Sequence, residues 1–227
     1  MSEMRESETR ATSLKICGLR DPRHALVAAE SGADLLGFVF VEGVRRQLTP
    51  AQCAEIIAAY RREHGPGGPK LVGLFANQPA DFVNKVAADC GLDLVQLCGD
   101  ERPDYWDRVA PDIIKQIKVR VQDGDTDAAI KSTLERVDEV LTAGHRALLD
   151  AYEPGRLGGT GTSFDWSIAR AIARDRDIVL AGGLTPDNVG EAITTVEPWG
   201  VDVSSGVETD GVKDEAKIRA FAAAVRP

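Results

Sequence analysis

Short runs of β-branched and other apolar residues alternate with stretches whose apolar positions recur every three or four residues, from one end of the chain to the other. The apolar runs fall at Leu14–Cys17, Asp34–Phe40, Lys70–Phe75, Asp93–Leu97, Ile113–Lys118, Arg146–Asp150, Ile178–Ala181 and Val201–Ser204, eight candidate strands. Their near-continuous hydrophobicity, without polar alternation, is the pattern of parallel strands covered on their outer face. Between them lie amphipathic segments with start and stop signals. Thr49-Pro50-Ala51-Gln52 predicts an N-cap, a proline at the first helical position and a capping-box partner. Cys53, Ile56, Ile57 and Tyr60 then form one apolar stripe. Asp21-Pro22 and Thr185-Pro186 predict helix starts of the same kind. Phe82, Val83, Val86, Ala87 and Cys90 make a second stripe, ended by Gly91. Ile218, Phe221, Ala222 and Val225 mark the last helix. The thinnest helical signal lies around Asp104 to Val109.

Repeated β-then-α units without a long linker or a composition break predict an α/β fold, a single (β/α)8 TIM barrel spanning residues 14–227. Residues 1–13 are polar and charged and read as a flexible N-terminal extension, lacking the apolar centre of a signal peptide. An open doubly wound sheet shows the same alternation. No G-x-G-x-x-G follows the first strand, which lowers its dinucleotide-binding form. His64-Gly65-Pro66-Gly67-Gly68-Pro69 reads as a surface loop.

Composition then narrows the partners. The chain has 227 residues, 43% of them hydrophobic, and a formal net charge of −9. An acidic surface argues against nucleic acid or an anionic membrane, and no apolar run is long enough to span a bilayer. A phosphorylated small molecule would need a local positive site on this otherwise repelling molecule. Cys17, Cys53, Cys90 and Cys98 are too far apart for a C-x-x-C pair, so neither a disulfide scaffold nor a metal site is expected, and a reducing cytoplasm is the expected compartment. Monomer and homodimer stay equally open.

In such a barrel the chemistry lies where the strands end. The first strand ends Lys15-Ile16-Cys17-Gly18 and the sixth Leu148-Leu149-Asp150-Ala151; Ala181-Gly182-Gly183-Leu184 follows the seventh, and Ser204-Ser205-Gly206-Val207-Glu208 the eighth. Gly158-Gly159-Thr160-Gly161 follows the sixth. Glycine turns let backbone N–H groups approach a phosphate, so Gly182, Gly183, Ser205 and Gly206, with Gly159 and Gly161, are candidate phosphate ligands. Cys17 and Asp150 are candidate reactive groups.

These strand ends, together with Gly37-Phe38-Val39-Phe40, Val72-Gly73-Leu74-Phe75-Ala76-Asn77, Gln96-Leu97-Cys98-Gly99-Asp100-Glu101 and Phe164-Asp165-Trp166, occur in one order along the whole chain from Leu14 to the last helix. The set resembles the phosphoribosylanthranilate isomerase family. The resemblance implies an enzyme of tryptophan biosynthesis that carries out an Amadori rearrangement without metal or organic cofactor, with Asp150 as general acid and Cys17 as general base. It also implies Arg46 as the group that holds the substrate's benzoate carboxylate. The family's usual Ser-Pro-Arg reads Val44-Arg45-Arg46 here, so Arg45 competes for that role. Cys98 replaces the family's histidine, and that contact is not carried over. Gln96 matches and can reach a substrate from its strand end. His24, His64 and His145 match no site motif, Cys53 and Cys90 look like packed core, and Lys213-Asp214 looks like solvated surface. Competing readings are another phosphosugar enzyme on this barrel, which would place aspartate or lysine where Cys17 stands, and a non-catalytic phosphoribosyl-binding barrel.

Overall fold

A computed structural model describes residues 11–65, 67–119, 125–150 and 166–226. Parallel strands β1 (Ser13–Cys17), β2 (Leu35–Val39), β3 (Lys70–Phe75), β4 (Leu94–Leu97), β5 (Asp112–Lys118), β6 (Arg146–Asp150), β7 (Ile178–Ala181) and β8 (Gly200–Val203) pair in sequence order. β8 returns to β1, with Lys15 level with Asp202, so the sheet closes. The open-sheet alternative is excluded by that last pairing.

Helices α1 (Pro22–Glu30), α2 (Pro50–His64), α3 (Ala80–Cys90), α4 (Pro103–Trp106), α5 (Thr126–Thr142), α6 (Ser167–Ala173), α7 (Val189–Val196) and α8 (Glu215–Val225) accompany the strands in turn. The Asp21 carboxylate accepts from Arg23 N at the start of α1, and Thr49 and Gln52 form the expected capping box on α2. Gly91 closes α3 in the left-handed region. The stretch around Asp104 to Val109 yields a single turn, α4. Thr185-Pro186 does not start a helix. Thr185 N donates to Asn188 Oδ1 at 2.8 Å, spending that segment on a turn, and α7 begins only at Val189.

Two apolar layers hold the barrel. Outward side chains such as Ile16, Phe38, Phe75 and Leu180 meet the stripes of the helices, including Cys53, Ile57, Tyr60 and Cys90. Inward ones, among them Leu35, Val72, Leu94, Ile114, Leu148 and Val179, fill the interior beneath Cys17. Each such Leu, Ile or Phe contributes roughly 1.5–3 kcal/mol on burial. The interior is thus a packed floor, and strand-end residues above it form the rim of the open mouth.

After β8 come one turn of 3-10 helix (Ser205–Val207) and an unpredicted hairpin, β9 (Glu208–Thr209) and β10 (Val212–Lys213). That hairpin brings two charged side chains over the rim.

Candidate active site

Cys17 is the last residue of β1 and faces inward, 4% exposed. Gly37 lies level with it on β2; a β-carbon there would come within 3.0 Å of Cys17 Sγ, so glycine at this position makes room for the thiol. Asp150 is the last residue of β6 and shares its face with the interior residue Leu148, two positions earlier. Its Oδ2 accepts from Gln116 Nε2 on the neighbouring strand β5. Sequence reasoning did not single out Gln116; its signal is a lone amide on the inward face of an apolar strand. Both reactive candidates therefore stand on the same rim and face the same mouth.

Positive charge gathers around Cys17. The Arg46 stem crosses over Gly18, whose β-carbon would lie 2.5 Å from Arg46 Cδ. The Arg46 guanidinium makes a two-point contact with Glu208, Nε to Oε1 at 2.6 Å and Nη2 to Oε2 at 2.7 Å. Arg45 reaches the same carboxylate from outside, Nη2 to Oε2 at 2.6 Å, but is 55% exposed against 24% for Arg46. Of the two, Arg46 is the more enclosed, its stem over Gly18 beside Cys17, and Arg45 lies further out.

Lys213 overturns its expected place on a solvated surface. It is 7% exposed, and its ammonium donates to Ser204 O at 2.7 Å and to Glu208 Oε1 at 2.9 Å. Ser204 Oγ in turn donates to Cys17 O at 3.2 Å. The hairpin turn carries Lys213 back over the end of β8, which no periodicity in two-residue strands reveals. Two arginines and a lysine thus surround and neutralise the Glu208 carboxylate. Burial alone would raise the Glu208 carboxyl, but hydrogen bonds from Arg46 and Lys213 hold it below the usual carboxylate range. The same bonds hold Arg46 firmly charged.

Burial pushes the Cys17 thiol above its ordinary value, with the charges of Lys15 and Lys213 pulling against that effect. Cys98, at the end of β4, is pushed up to about 12, chiefly by burial. Beside it Gln96 is 3% exposed; its Nε2 contacts Cys98 Sγ at 3.5 Å, and its Oε1 has no hydrogen-bond partner among the described residues. Cysteine in place of the expected histidine therefore supplies a neutral, weak partner and leaves the amide oxygen unspent.

The two glycine turns adjoin each other. Gly182 and Gly183 adopt positive φ, 91° and 66°, directly after β7. Gly206 packs so tightly on that loop that a β-carbon would fall 1.8 Å from Leu184 O. Ser205 is exposed beside it. Gly159 and Gly161 lie outside the described residues.

Cys53 and Cys90 are buried on the faces of α2 and α3, as expected, and all four cysteines are free thiols. His145 packs edge-on against Trp106 and His64 lies against Tyr60, away from the mouth.

Known proteins resemble this chain over nearly its full length. Residues 14–224 match the family model described as N-(5'-phosphoribosyl)anthranilate (PRA) isomerase. N-(5'-phosphoribosyl)anthranilate isomerases of Roseiflexus castenholzii and Geobacter sulfurreducens are 47% and 48% identical to it, over 94% and 92% of this chain and 97% and 95% of theirs. The crystal structure of the isomerase from Thermotoga maritima superposes with a TM-score of 0.80 at 33% identity, covering 95% of this chain and 98% of that one. A second isomerase structure, in complex with reduced 1-(o-carboxyphenylamino)-1-deoxyribulose 5-phosphate, superposes with a TM-score of 0.77 at 32% identity, covering 95% and 98%. With a closed eightfold barrel and this span of matching sequence, the chain belongs to the phosphoribosylanthranilate isomerase family, enzymes of tryptophan biosynthesis.

Proposed function

We propose that Asp150 and Cys17 are the acid and base with which this isomerase converts N-(5-phosphoribosyl)anthranilate to 1-(2-carboxyphenylamino)-1-deoxyribulose 5-phosphate. Asp150 protonates the furanose ring oxygen, and the ring opens to an iminium cation. Cys17, as thiolate, takes the proton from the sugar's second carbon, and the resulting enolamine gains a proton on the first carbon while its second-carbon hydroxyl releases one, leaving the ketone. The observation that carries this reading is the convergence of both groups on one mouth, with Arg46 beside the thiol. Gln116 holds the Asp150 carboxyl by an amide donor.

The substrate's benzoate carboxylate meets the Arg46 guanidinium. Glu208 occupies its Nε edge, which leaves the Nη1 side for a second, incoming carboxylate. Glu208 and Lys213 thus aim Arg46. Gln96 Oε1, buried and unspent, accepts from a sugar hydroxyl. The phosphate sits against the backbone of Gly182, Gly183, Ser205 and Gly206, with Gly159 and Gly161 closing from the loop after β6. A cytoplasmic setting suits a thiol base, which must stay reduced to act.

The test pairs growth rescue of a tryptophan auxotroph lacking this step with assays of Cys17→Ala and Asp150→Ala. Each variant is expected to lose about 10²–10⁴-fold in kcat while its circular dichroism and binding of the reduced product analogue stay unchanged. Near wild-type turnover in either variant removes that residue from its role.

A further inference from the structure

Two residues before Cys17, β1 places a lysine where packing alone would place an aliphatic side chain. Lys15 points into the barrel, 1% exposed, and donates from Nζ to Asp202 Oδ1 at 2.9 Å on β8, with Asp202 itself 8% exposed. Taking both ions out of water costs several kcal/mol each, and a well-packed apolar pair holds two strands as well or better. Leu148 and Val179 fill the interior on that apolar plan. Strand stability therefore does not explain the pair, but its location does. Residues i and i+2 of a strand share a face, so the ammonium lies on the same inward face as the thiol, one step below it, and its charge favours the thiolate.

We propose that Lys15 is a positioning residue for the isomerisation, an interior ammonium that favours the thiolate form of Cys17 and is anchored in place by Asp202. This rests on the reading of Cys17 as general base. The charged and titratable groups around the thiol come from five directions: Lys15 on β1, Asp202 on β8, Lys213 on β10, Arg46 after β2 and Cys98 at the end of β4. The three cations favour the thiolate, Asp202 opposes it, and Cys98 is neutral at ordinary pH. Burial opposes the thiolate most strongly of all. Against that opposition Lys15 acts at the shortest separation along the chain, from a side chain that Asp202 keeps charged. Burial alone would lower the Lys15 ammonium, but its carboxylate partner raises it instead.

Two variants test this: Lys15→Met, and the double variant Lys15→Met with Asp202→Asn, which strands no charge in the interior. The ionisation of Cys17 is read directly from the pH dependence of its alkylation by iodoacetamide, with Cys17→Ser as the blank, and compared with the pH profile of kcat/KM. Both variants should show the thiol ionising about one pH unit or more higher. At neutral pH this is a loss of about tenfold or more in kcat/KM that shrinks as the pH rises. A folded Lys15→Met or double variant whose Cys17 ionises as in the wild type overturns the proposal. If ionisation shifts while the kcat/KM profile stays put, Lys15 still governs the thiol, and it is the base assignment of Cys17 that falls.

Discussion

Lys115 and Lys15 both lie on barrel strands, both are almost wholly shielded from water, and both meet a carboxylate, at 2.7 and 2.9 Å. They face opposite sides of the sheet. Lys115 points outward and spends its ammonium on Leu97 O at the end of β4 and on Gly99 O and Glu101 Oε2 in the connection after it. Glu101 passes the restraint on, accepting from Asn77 N at 2.7 Å, so the connections after β3 and β4 are tied together. Lys15 points inward, donates to one carboxylate and turns its remaining field on a thiol. The same residue type at the same degree of burial thus serves architecture on one face and chemistry on the other. What separates the two is the number of backbone acceptors within reach.

That contrast breaks most visibly at Lys115. Lys115→Met strands Glu101 in the interior and should cost about 3–5 kcal/mol, a fall in Tm on the order of ten degrees, with the pH profile of kcat/KM unmoved. A shifted profile would mean that both lysines act on the chemistry. The half-buried Arg46 pair lies between the two cases. Arg46→Ala should raise KM between about tenfold and a hundredfold, the loss of charge-assisted hydrogen bonds, with kcat changed only a few-fold. An unchanged KM moves the carboxylate contact elsewhere on the rim. Glu208→Gln should have the smallest effect, about a few-fold rise in KM from a less well-aimed Arg46. Because the Glu208 carboxyl is held below its ordinary value, the stability it contributes is present above pH 4.5 and is lost as pH falls through the lower, folded-state value. The gap in Tm between wild type and Glu208→Gln should therefore narrow as pH drops below 4.5. A gap constant with pH would deny the clamp its electrostatic origin.

The strands were legible in the sequence to within about a residue, because a parallel strand buried on both faces leaves an unbroken apolar run. Cys17 and Asp150 stand out as candidates because each closes such a run at its end. Lys15 interrupts one too, but a charged residue inside a strand reads equally well as an edge or a start, and only the register with Asp202 reveals its burial. Lys213 escaped for another reason. Strands of two residues have no period, and its charge looks solvated until the hairpin folds it back against Ser204 and Glu208. Thr185-Pro186 carried the right residue types for a helix start, but Asn188 outcompetes it by capping the turn with its own side chain.

The absence of space for even one methyl between Gly206 and the Leu184 carbonyl has a consequence for how this enzyme can be altered. The loops after β7 and β8 interlock there like a tongue in a groove, so neither can be lengthened or re-aimed without displacing the other. Attempts to broaden the range of accepted molecules will have to work from the loop after β2, where Val44 and Arg45 already depart from the common spelling without disturbing the barrel.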